Sequence, residues 1–311
     1  MMPPPEAPVP PPEAPVSPGE PALGPEAIAA AYLAACRAEL AAIKPGNVHV
    51  HAAGHRMTVA DFEASAVLSA PHIAAAGARV GARAEGAVAA TRVGIGQNTN
   101  LGIVLLCAPL AAAAERPGPL RPALAAVLAG LDTTDAAGIY AAIRLASPGG
   151  LGRAARHDVT AEGPPPPLLA AMAEAAERDR IARAYVTGFA DLFETGLSAL
   201  AAARARGLTE PWTTTAVHLA FLAGFPDSHI VRKFGAAAAE AVRAEAEAAL
   251  GGLALGEGAR AVLLAHDAAL KAAGLNPGTS ADLTVATLFL DAIGGLKAGA
   301  GPDPAQPANK S

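Results

Sequence analysis

The sequence predicts an all-α fold, built as a single multi-helix domain of about ten helices with polar ligand-binding turns. Two observations support this prediction. Of the 311 residues, 52% are hydrophobic but only 4% are aromatic, and the excess consists of alanine and leucine, which are strong helix formers. Alternation of Val, Ile and Thr between turn signals is scarce, so strands have little support.

Turns rich in Gly, Pro or polar residues divide the chain into helical segments. Thr58 is the expected N-cap of the second helix, because a hydroxyl at that position accepts a hydrogen bond from the first turn. Small alanine faces let such helices pack closely. The predicted helices cover residues 26–43, 59–76, 78–92, 101–115, 121–131, 134–145, 168–206 with a break, 213–223, 228–250, 257–273 and 280–296.

The two ends of the chain differ in composition from the part between them. Residues 1–25 contain 11 of the 28 prolines, which predicts a disordered or polyproline-like arm. Residues 298–311 are rich in Gly, Pro and Ala and are predicted to form a disordered tail. Residues 26–297 then form the all-α catalytic domain.

Charge and hydropathy exclude several classes of protein. The net charge is −5 and no basic stripe occurs, which argues against nucleic-acid binding. The longest apolar run, residues 101–114, contains Pro109 and is too short to cross a membrane. No signal-peptide pattern is evident, so we expect a cytoplasmic protein without a membrane partner. Cys36 and Cys107 are expected to be buried free thiols. The sequence does not determine the oligomeric state, and a homo-oligomer is one of the alternatives.

The first polar turn, residues 44–51, follows the first predicted helix directly. It begins Lys44-Pro45-Gly46 and contains Asn47 and two histidines, with His55 and Arg56 just beyond it. Pro and Gly end a helix, and cationic donors on a fixed loop suit a phosphate-rich ligand. The alternative is an ordinary helix terminus followed by a solvated loop.

A second polar turn, residues 94–102, includes Asn98, Thr99 and Asn100 directly before a helix. One of these three side chains could serve as the N-cap. The free N–H groups of a helix start also bind anions such as phosphate. Because the four consecutive polar residues from Gln97 to Asn100 exceed what a cap requires, we favour a ligand role.

A third turn, Ser147-Pro148-Gly149-Gly150-Leu151-Gly152, precedes Arg153, Arg156, His157 and Asp158. Glycines allow a ligand to approach the backbone closely, and arginines bind phosphate oxygens. The run matches neither the GxxxxGK[ST] phosphate loop nor the dinucleotide fingerprint. It is therefore a weak signal by itself.

The fourth turn, residues 225–235, places Asp227 and Ser228 one helical turn before Arg232 and Lys233. This spacing could hold a metal–phosphate pair, with the carboxylate on the cation and the basic groups on phosphate oxygens. An ordinary capped helix start on the surface is an equal alternative.

The fifth turn, residues 276–282, also resembles a helix start, with Thr279 or Ser280 as the cap. Asp282 would then lie in the first turn, where a carboxylate suits the helix dipole without any function. Taken alone, this turn is therefore expected to be structural.

The order of these motifs resembles the triphosphoribosyl-dephospho-CoA synthase family. The resemblance covers roughly residues 28–296 and rests on four groups of residues. These are Glu39 with Lys44-Pro45-Gly46; His55-Arg56 before Asp61-Phe62 and Ser65-Ala66; Asn98-Thr99 with Gly102; and Asp227-Ser228 with Arg232-Lys233 and Gly235.

The resemblance implies an all-α enzyme that displaces adenine from ATP and joins the triphosphoribosyl group to the 2′-hydroxyl of 3′-dephospho-CoA. Substitution at an anomeric carbon needs a base, an acid and cations on the triphosphate. The resemblance implies three roles for residues of this chain. Catalysis is assigned to Glu39, His55 and Asp158; nucleotide binding to Lys44, Gly46, Arg56, Asn98, Thr99, Arg232 and Lys233; Mg²⁺ binding to Glu39 and Asp227. Replacing Lys44 by Ala is expected to weaken nucleotide binding and leave the fold intact.

Two departures keep the acceptor open. Citrate-lyase members resemble Asn-Thr-His-Lys-Gly at the second turn, whereas this chain has Asn98-Thr99-Asn100-Leu101-Gly102. Residues 143–152 and 276–284 resemble a branch found in archaea and in bacteria with pterin-linked one-carbon metabolism. The alternatives are therefore an ATP-dependent enzyme of that cofactor chemistry with a different acceptor, and a non-catalytic nucleotide-binding protein.

Overall fold

Alanine-rich helices account for most of the chain, as the composition predicts. The computed structural model describes residues 20–55, 57–147, 157–161, 163, 165–250 and 252–299. Within these residues the all-α prediction is confirmed, although the fourteen α-helices outnumber the ten expected. They are α1 (Pro25–Ala41), α2 (Val59–Ile73), α3 (Val80–Ile95), α4 (Leu101–Ala114), α5 (Leu120–Ala129), α6 (Thr133–Ala146), α7 (Leu168–Ala175), α8 (Arg180–Thr187), α9 (Leu197–Ala205), α10 (Trp212–Gly224), α11 (Ser228–Phe234), α12 (Ala236–Leu250), α13 (Arg260–Ala272) and α14 (Gly278–Lys297).

The extra helices arise where two long predicted segments are interrupted. Asp179 caps α8 by accepting hydrogen bonds from the N–H groups of Ile181 and Ala182, and Gly188 ends that helix with φ +63°. A π-helical turn, Asp191–Gly196, then leads into α9. Gly235, with φ +88°, separates α11 from α12. Both glycines adopt left-handed backbone angles that other residues avoid.

The longest helix, α14, is the centre of the packing. It contacts α1, α4 and α10, and its buried side chains include Leu283, Phe289 and Ile293. These contacts form one large apolar core, to which α1–α10 contribute. A second, smaller core joins α10 to α11, α12 and α13, and Ile43 belongs to it. The turn after α1 therefore connects the two cores.

Of the helix N-caps predicted from the sequence, one is present in the structure and another is not. The predicted N-cap Thr58 is confirmed, because its side chain accepts a hydrogen bond from the Asp61 N–H and the Asp61 carboxylate accepts one in return. Neither Thr279 nor Ser280 caps α14 with its own side chain. Cys36 and Cys107 are free and buried, as expected.

The chain entering α1 packs against the helices rather than leaving them. The N–H of Leu23 donates to the carbonyl of Ala114 at 2.9 Å. The buried ammonium of Lys297 donates to the carbonyls of Pro21 and Arg116, at 2.7 Å each. Residues 20–24 thus belong to the packed domain. Among the helices described, none is long and apolar enough to cross a membrane.

Candidate active site

Residues 44–49 of the first polar turn are buried, not solvated. Lys44 and His49 have no exposed surface, and Asn47 retains only 6%. The Lys44 ammonium donates hydrogen bonds to Glu39, on the last turn of α1, and to Asn47 Oδ1 at 3.1 Å. Asn47 in turn donates to Asn276 Oδ1 at 2.8 Å. The turn is therefore held in place by its own polar side chains.

The Glu39–Lys44 pair changes the ionisation of both groups. Burial raises the pKa of the Glu39 carboxyl, and the neighbouring Lys44 ammonium opposes that rise. Burial likewise lowers the pKa of Lys44, and Glu39 opposes the fall. Each group thus depends on the other to remain charged in the interior.

A second carboxylate fixes the far side of the same turn. Asp267 on α13 accepts a hydrogen bond from the Gly46 N–H at 2.8 Å and one from the Lys271 ammonium at 2.9 Å. His55, at φ +55°, donates from Nε2 to the Gly46 carbonyl at 2.8 Å. Gly46 thus contributes backbone contacts within the protein. Arg56, a predicted phosphate ligand, lies outside the described residues.

A cavity of about 590 Å³ opens beside this turn. It is bounded by the end of α1, the start of α4, and residues from α6, α7, α8, α11 and α14. Seven of the side chains predicted from the sequence line it: Glu39, His55, Asn98, Thr99, Asp158, Arg232 and Lys233. Residues up to 194 positions apart in the chain are thereby brought to one space. Lys44, Gly46 and Asp227 are absent from its lining.

Cationic groups from two helix ends line the cavity. Arg178 follows α7, whereas Arg232 and Lys233 belong to the last turn of α11. Arg232 donates from Nη1 to Asp179 at 3.0 Å, and its Nε is buried without a partner among the described residues. Burial and the adjacent Arg232 charge lower the pKa of Lys233. These cations could bind a phosphate chain.

His229 lines the cavity beside these cations. Burial, together with the charges of Lys233 and Arg232, lowers its pKa to about 3. A neutral imidazole can donate or accept a hydrogen bond without adding to the positive charge. His229 was not among the sequence candidates, although it directly follows the Asp227-Ser228 pair.

The structure gives Asp227 a different role from the predicted metal ligand. Its buried carboxylate accepts hydrogen bonds from the N–H groups of His229 and Ile230, and two more from Ser280. These four donors occupy both carboxylate oxygens, so neither oxygen is directed at the cavity. Asp227 caps α11 and tethers the first turn of α14.

Asp282 is a cavity carboxylate to which the sequence interpretation gave only a structural role. It is the fifth residue of α14, just beyond the first turn, where it is half-buried and lines the cavity. Burial raises its pKa well above the ordinary value, and the charges of Asp227 and Glu39 raise it further. The sequence signal was present in the fifth turn, but a first-turn carboxylate also suits a helix dipole.

The second polar turn contributes Asn98 and Thr99 to the cavity lining. Asn98 Oδ1 accepts from the Leu101 N–H at 3.2 Å, at the start of α4. The Thr99 hydroxyl shares a hydrogen bond of 2.5 Å with that of Ser65. Leu101, the first residue of α4, also lines the cavity and adds an apolar surface.

Asp158 lies near the third turn and lines the cavity together with His157 and Ser147. Its Oδ1 accepts hydrogen bonds from the N–H and hydroxyl of Thr160, at 2.8 and 2.6 Å. The remainder of the third turn, residues 148–156, lies outside the described residues, so Arg153 and Arg156 are not placed.

The predicted Mg²⁺ ligands do not fit a dedicated metal centre. Asp227 is saturated by hydrogen bonds and Glu39 is paired with Lys44. Among the residues that the structure describes, no group of three or more His, Cys, Asp or Glu side chains is arranged to hold a metal ion. A Mg²⁺ ion on a nucleotide needs only one or two protein carboxylates, since phosphates and water complete its coordination.

Comparison with known proteins gives concordant results. Residues 25–299 match the family model described as ATP:dephospho-CoA triphosphoribosyl transferase. A 110-residue stretch is 36% identical to the 2-(5''-triphosphoribosyl)-3'-dephosphocoenzyme-A synthase of Klebsiella pneumoniae. That stretch covers 35% of this chain and only 39% of the relative.

A solved structure extends the similarity to the fold. The crystal structure from Archaeoglobus fulgidus described as a "putative triphosphoribosyl-dephospho-coA synthase" superposes with a TM-score of 0.57. The two chains are 25% identical, and the match covers 75% of this chain and 98% of the other.

Proposed function

Because the chain belongs to the ATP:dephospho-CoA triphosphoribosyl transferase family, we propose that it moves the 5-triphosphoribosyl group of ATP to the 2′-hydroxyl of 3′-dephospho-CoA, releasing adenine. The observation that carries the proposal is the set of side chains that line one cavity. Cations that suit a triphosphate and carboxyl groups that suit proton transfer line the same space. Both are required for substitution at the anomeric carbon of a nucleotide.

The cations define the nucleotide end of the reaction. Arg232 and Lys233 bind oxygens of the triphosphate, with Arg178 as a third cation. The buried Nε of Arg232, which has no partner among the described residues, is a donor that a phosphate oxygen would satisfy. Asn98 and Thr99 contribute polar contacts at the start of α4. Neutral His229 hydrogen-bonds the ligand without strengthening the positive field.

Glu39 is the proposed base. Its carboxylate lies on the cavity wall and accepts a hydrogen bond from Lys44, whose charge favours the ionised form that can take a proton. As the bond from the ribose carbon to adenine breaks, the acceptor hydroxyl attacks that carbon and its proton passes to Glu39. Lys44 is thus a positioning residue: it holds Glu39 and does not itself reach the cavity. His55 and Asp158 remain candidates for contacts to the reacting groups.

The same cavity favours one alternative, a different acceptor. Leu101 and the side chains of Tyr140, Ile143 and Met172 add apolar surface to the lining. An acceptor with an apolar or aromatic portion would use this surface, and a pterin-linked cofactor precursor meets that description as well as dephospho-CoA does. The two possible reactions differ only in the acceptor, so identifying the molecule that receives the triphosphoribosyl group distinguishes them.

The test is a product screen. Purified protein is incubated with ATP, Mg²⁺ and dephospho-CoA, and nucleobase and nucleotides are separated by chromatography. The proposal expects stoichiometric adenine and a product heavier by the triphosphoribosyl group. ADP or AMP in place of adenine would select phosphotransfer, and binding of ATP without turnover with any acceptor would select a non-catalytic role. Arg37→Ala, which changes a surface ion pair with Glu63, serves as the active control.

The proposal also covers the metal ion, the partners, the location and the oligomeric state. We place Mg²⁺ on the triphosphate of ATP, so calorimetry should detect Mg²⁺ binding in the presence of ATP and little binding to the protein alone. The substrates are small molecules, and neither nucleic acid nor a membrane is a partner. A cytoplasmic location fits enzymes that use ATP and CoA precursors. Size-exclusion chromatography with light scattering would establish whether the protein is a homo-oligomer.

A further inference from the structure

Asp282 differs in its hydrogen bonding from the other cavity carboxylates whose partners are described. Glu39 accepts a hydrogen bond from Lys44, Asp179 from Arg232, and Asp158 from Thr160. No donor among the residues that the structure describes hydrogen-bonds to Asp282. Its carboxyl group faces the cavity, so a substrate is the available partner.

The first turn of α4 holds this carboxyl group at a defined place. A Cβ atom on Gly102 would lie only 2.0 Å from Asp282 Oδ2 and 2.5 Å from its Cγ. The absence of a side chain at position 102 is therefore what lets the carboxyl group lie against α4. A group in van der Waals contact with a helix start has few alternative positions.

The surroundings of Asp282 are predominantly negative. Glu39 on α1, Asp179 before α8 and Asp227 before α11 act against its ionisation, while Arg232 on α11 favours it. Lys44 and the buried thiol of Cys107 on α4 also interact with it electrostatically. Since desolvation is the largest influence, the neutral acid is favoured. Glu39 is thus a carboxylate supported by a cation, whereas Asp282 is a carboxyl group that has no donor among the described residues.

We propose that Asp282 is the general acid that protonates adenine as it leaves the ribose. The inference rests on the proposed transfer reaction. The bond between the anomeric carbon and adenine N9 breaks, and its electron pair stays with the base. The Asp282 proton moves to a ring nitrogen of that base, so neutral adenine departs. The acceptor oxygen forms the new bond to the anomeric carbon and gives its proton to Glu39, and solvent later restores both carboxyl groups.

This division of roles follows a general pattern. Two carboxyl groups with different environments act as acid and base in substitutions at anomeric carbons. Protonation matters because adenine is a poor leaving group as an anion. General acid catalysis by a positioned side chain contributes roughly 10²- to 10⁴-fold to such a step.

The test compares leaving groups in Asp282→Asn. With ATP, the variant should release adenine about 10²- to 10⁴-fold more slowly than the wild type. With 4-nitrophenyl ribofuranoside 5′-triphosphate, whose nitrophenolate departs without a proton, the loss should be less than about tenfold. Equal losses on both substrates would overturn the proposal. His55→Asn is the matched comparison, and a leaving-group dependence found there instead would assign the acid to His55.

A pH profile tests the same assignment with ATP alone. A general acid acts only when protonated, so the wild-type kcat should fall as pH rises through the pKa of Asp282. Asp282→Asn should lack this alkaline limb, and retention of the limb would overturn the proposal. Asp282→Glu should restore part of the rate and the limb. If the wild type released no adenine under any condition, the transfer reaction itself would fail, which is distinct from either result.

Discussion

Asp227 accepts two hydrogen bonds from Ser280, one from its N–H at 2.7 Å and one from its hydroxyl at 2.9 Å. The residues are 53 positions apart, and the same carboxylate also caps α11. This contact holds α11, which carries Arg232, against the start of α14, the helix that carries Asp282. The relative position of the cation and the acid in the cavity therefore depends on one buried carboxylate.

Replacing Asp227 by Ala should destabilise the protein. Four donors would lose their acceptor in the interior, and leaving buried polar groups unsatisfied costs about 1–3 kcal/mol. Urea unfolding followed by circular dichroism would measure the loss. Asp132→Ala, which removes an N-cap at the exposed start of α6, should cost less. Unchanged stability together with lost Mg²⁺ binding would return Asp227 to the role of metal ligand.

Lys44→Met should lower the free energy of unfolding by about 3–5 kcal/mol, because it leaves the Glu39 charge buried without its cation. From the sequence alone, substitution of Lys44 was expected to spare the fold, and the burial of the pair changes that expectation. The double variant Glu39→Gln/Lys44→Met should recover part of the loss. Equal destabilisation in the single and double variants would show that the pair is not coupled.

His218 on α10 should make stability fall in acid. Burial, together with the charges of Lys44 and His49, lowers its pKa to about 3. In the unfolded chain its pKa is near 6.5, so between these values only the unfolded state binds the proton. Its contribution is complete above about pH 6.5 and is lost as pH falls through the folded value.

The change is about 1.4 kcal/mol per pH unit for one proton. Urea unfolding at a series of pH values between these two limits should show a slope that is steeper by this amount in the wild type than in His218→Phe, because the other titrating groups contribute to both proteins. Phe221→Leu, on the same helix, should lower stability at every pH without changing the slope. An unchanged slope in His218→Phe would show that this histidine is protonated in the folded state.

Gly102→Ala should reduce turnover by on the order of 10- to 100-fold. The new methyl group would displace the Asp282 carboxyl group, and misplacing a reacting group by about 1 Å can cost that much. Steady-state kinetics with ATP would measure the change. The control is Gly295→Ala on α14, where an added Cβ meets nothing within 4 Å. Equal rates in the two variants would argue against a reacting role for Asp282.

Arg232→Ala should weaken ATP binding about 10- to 100-fold, because a hydrogen bond to a charged group contributes about 1.5–3 kcal/mol. Calorimetry with a non-reacting ATP analogue would measure the affinity. Arg232→Lys should recover only part of it, since lysine lacks the planar fork of arginine. Arg37→Ala should bind the analogue as the wild type does. Unaffected affinity in Arg232→Ala would remove this residue from the phosphate site.

Several features of the protein could be predicted because they depend on neighbours in the chain. Helix content follows from alanine and leucine, and the Thr58 cap from its distance to Asp61. The break at Gly188 was harder to predict, since a glycine in a helical segment can also be tolerated. Likewise, the carboxylates at positions 227 and 282 both suit a helix start, and local rules assign them the same role.

The sequence by itself determined the all-α class, the ends of many helices and the order of polar turns that marks the family. Only the tertiary structure decided what each polar group faces. Gly46 finds its acceptor in Asp267, 221 positions away, and Lys44 turns inward to Glu39 while Asp282 faces the cavity. Helix periodicity specifies which residues share a face, but the partner of that face is chosen by long-range packing. For that reason the candidate acid emerged from the packing of α4 against α14.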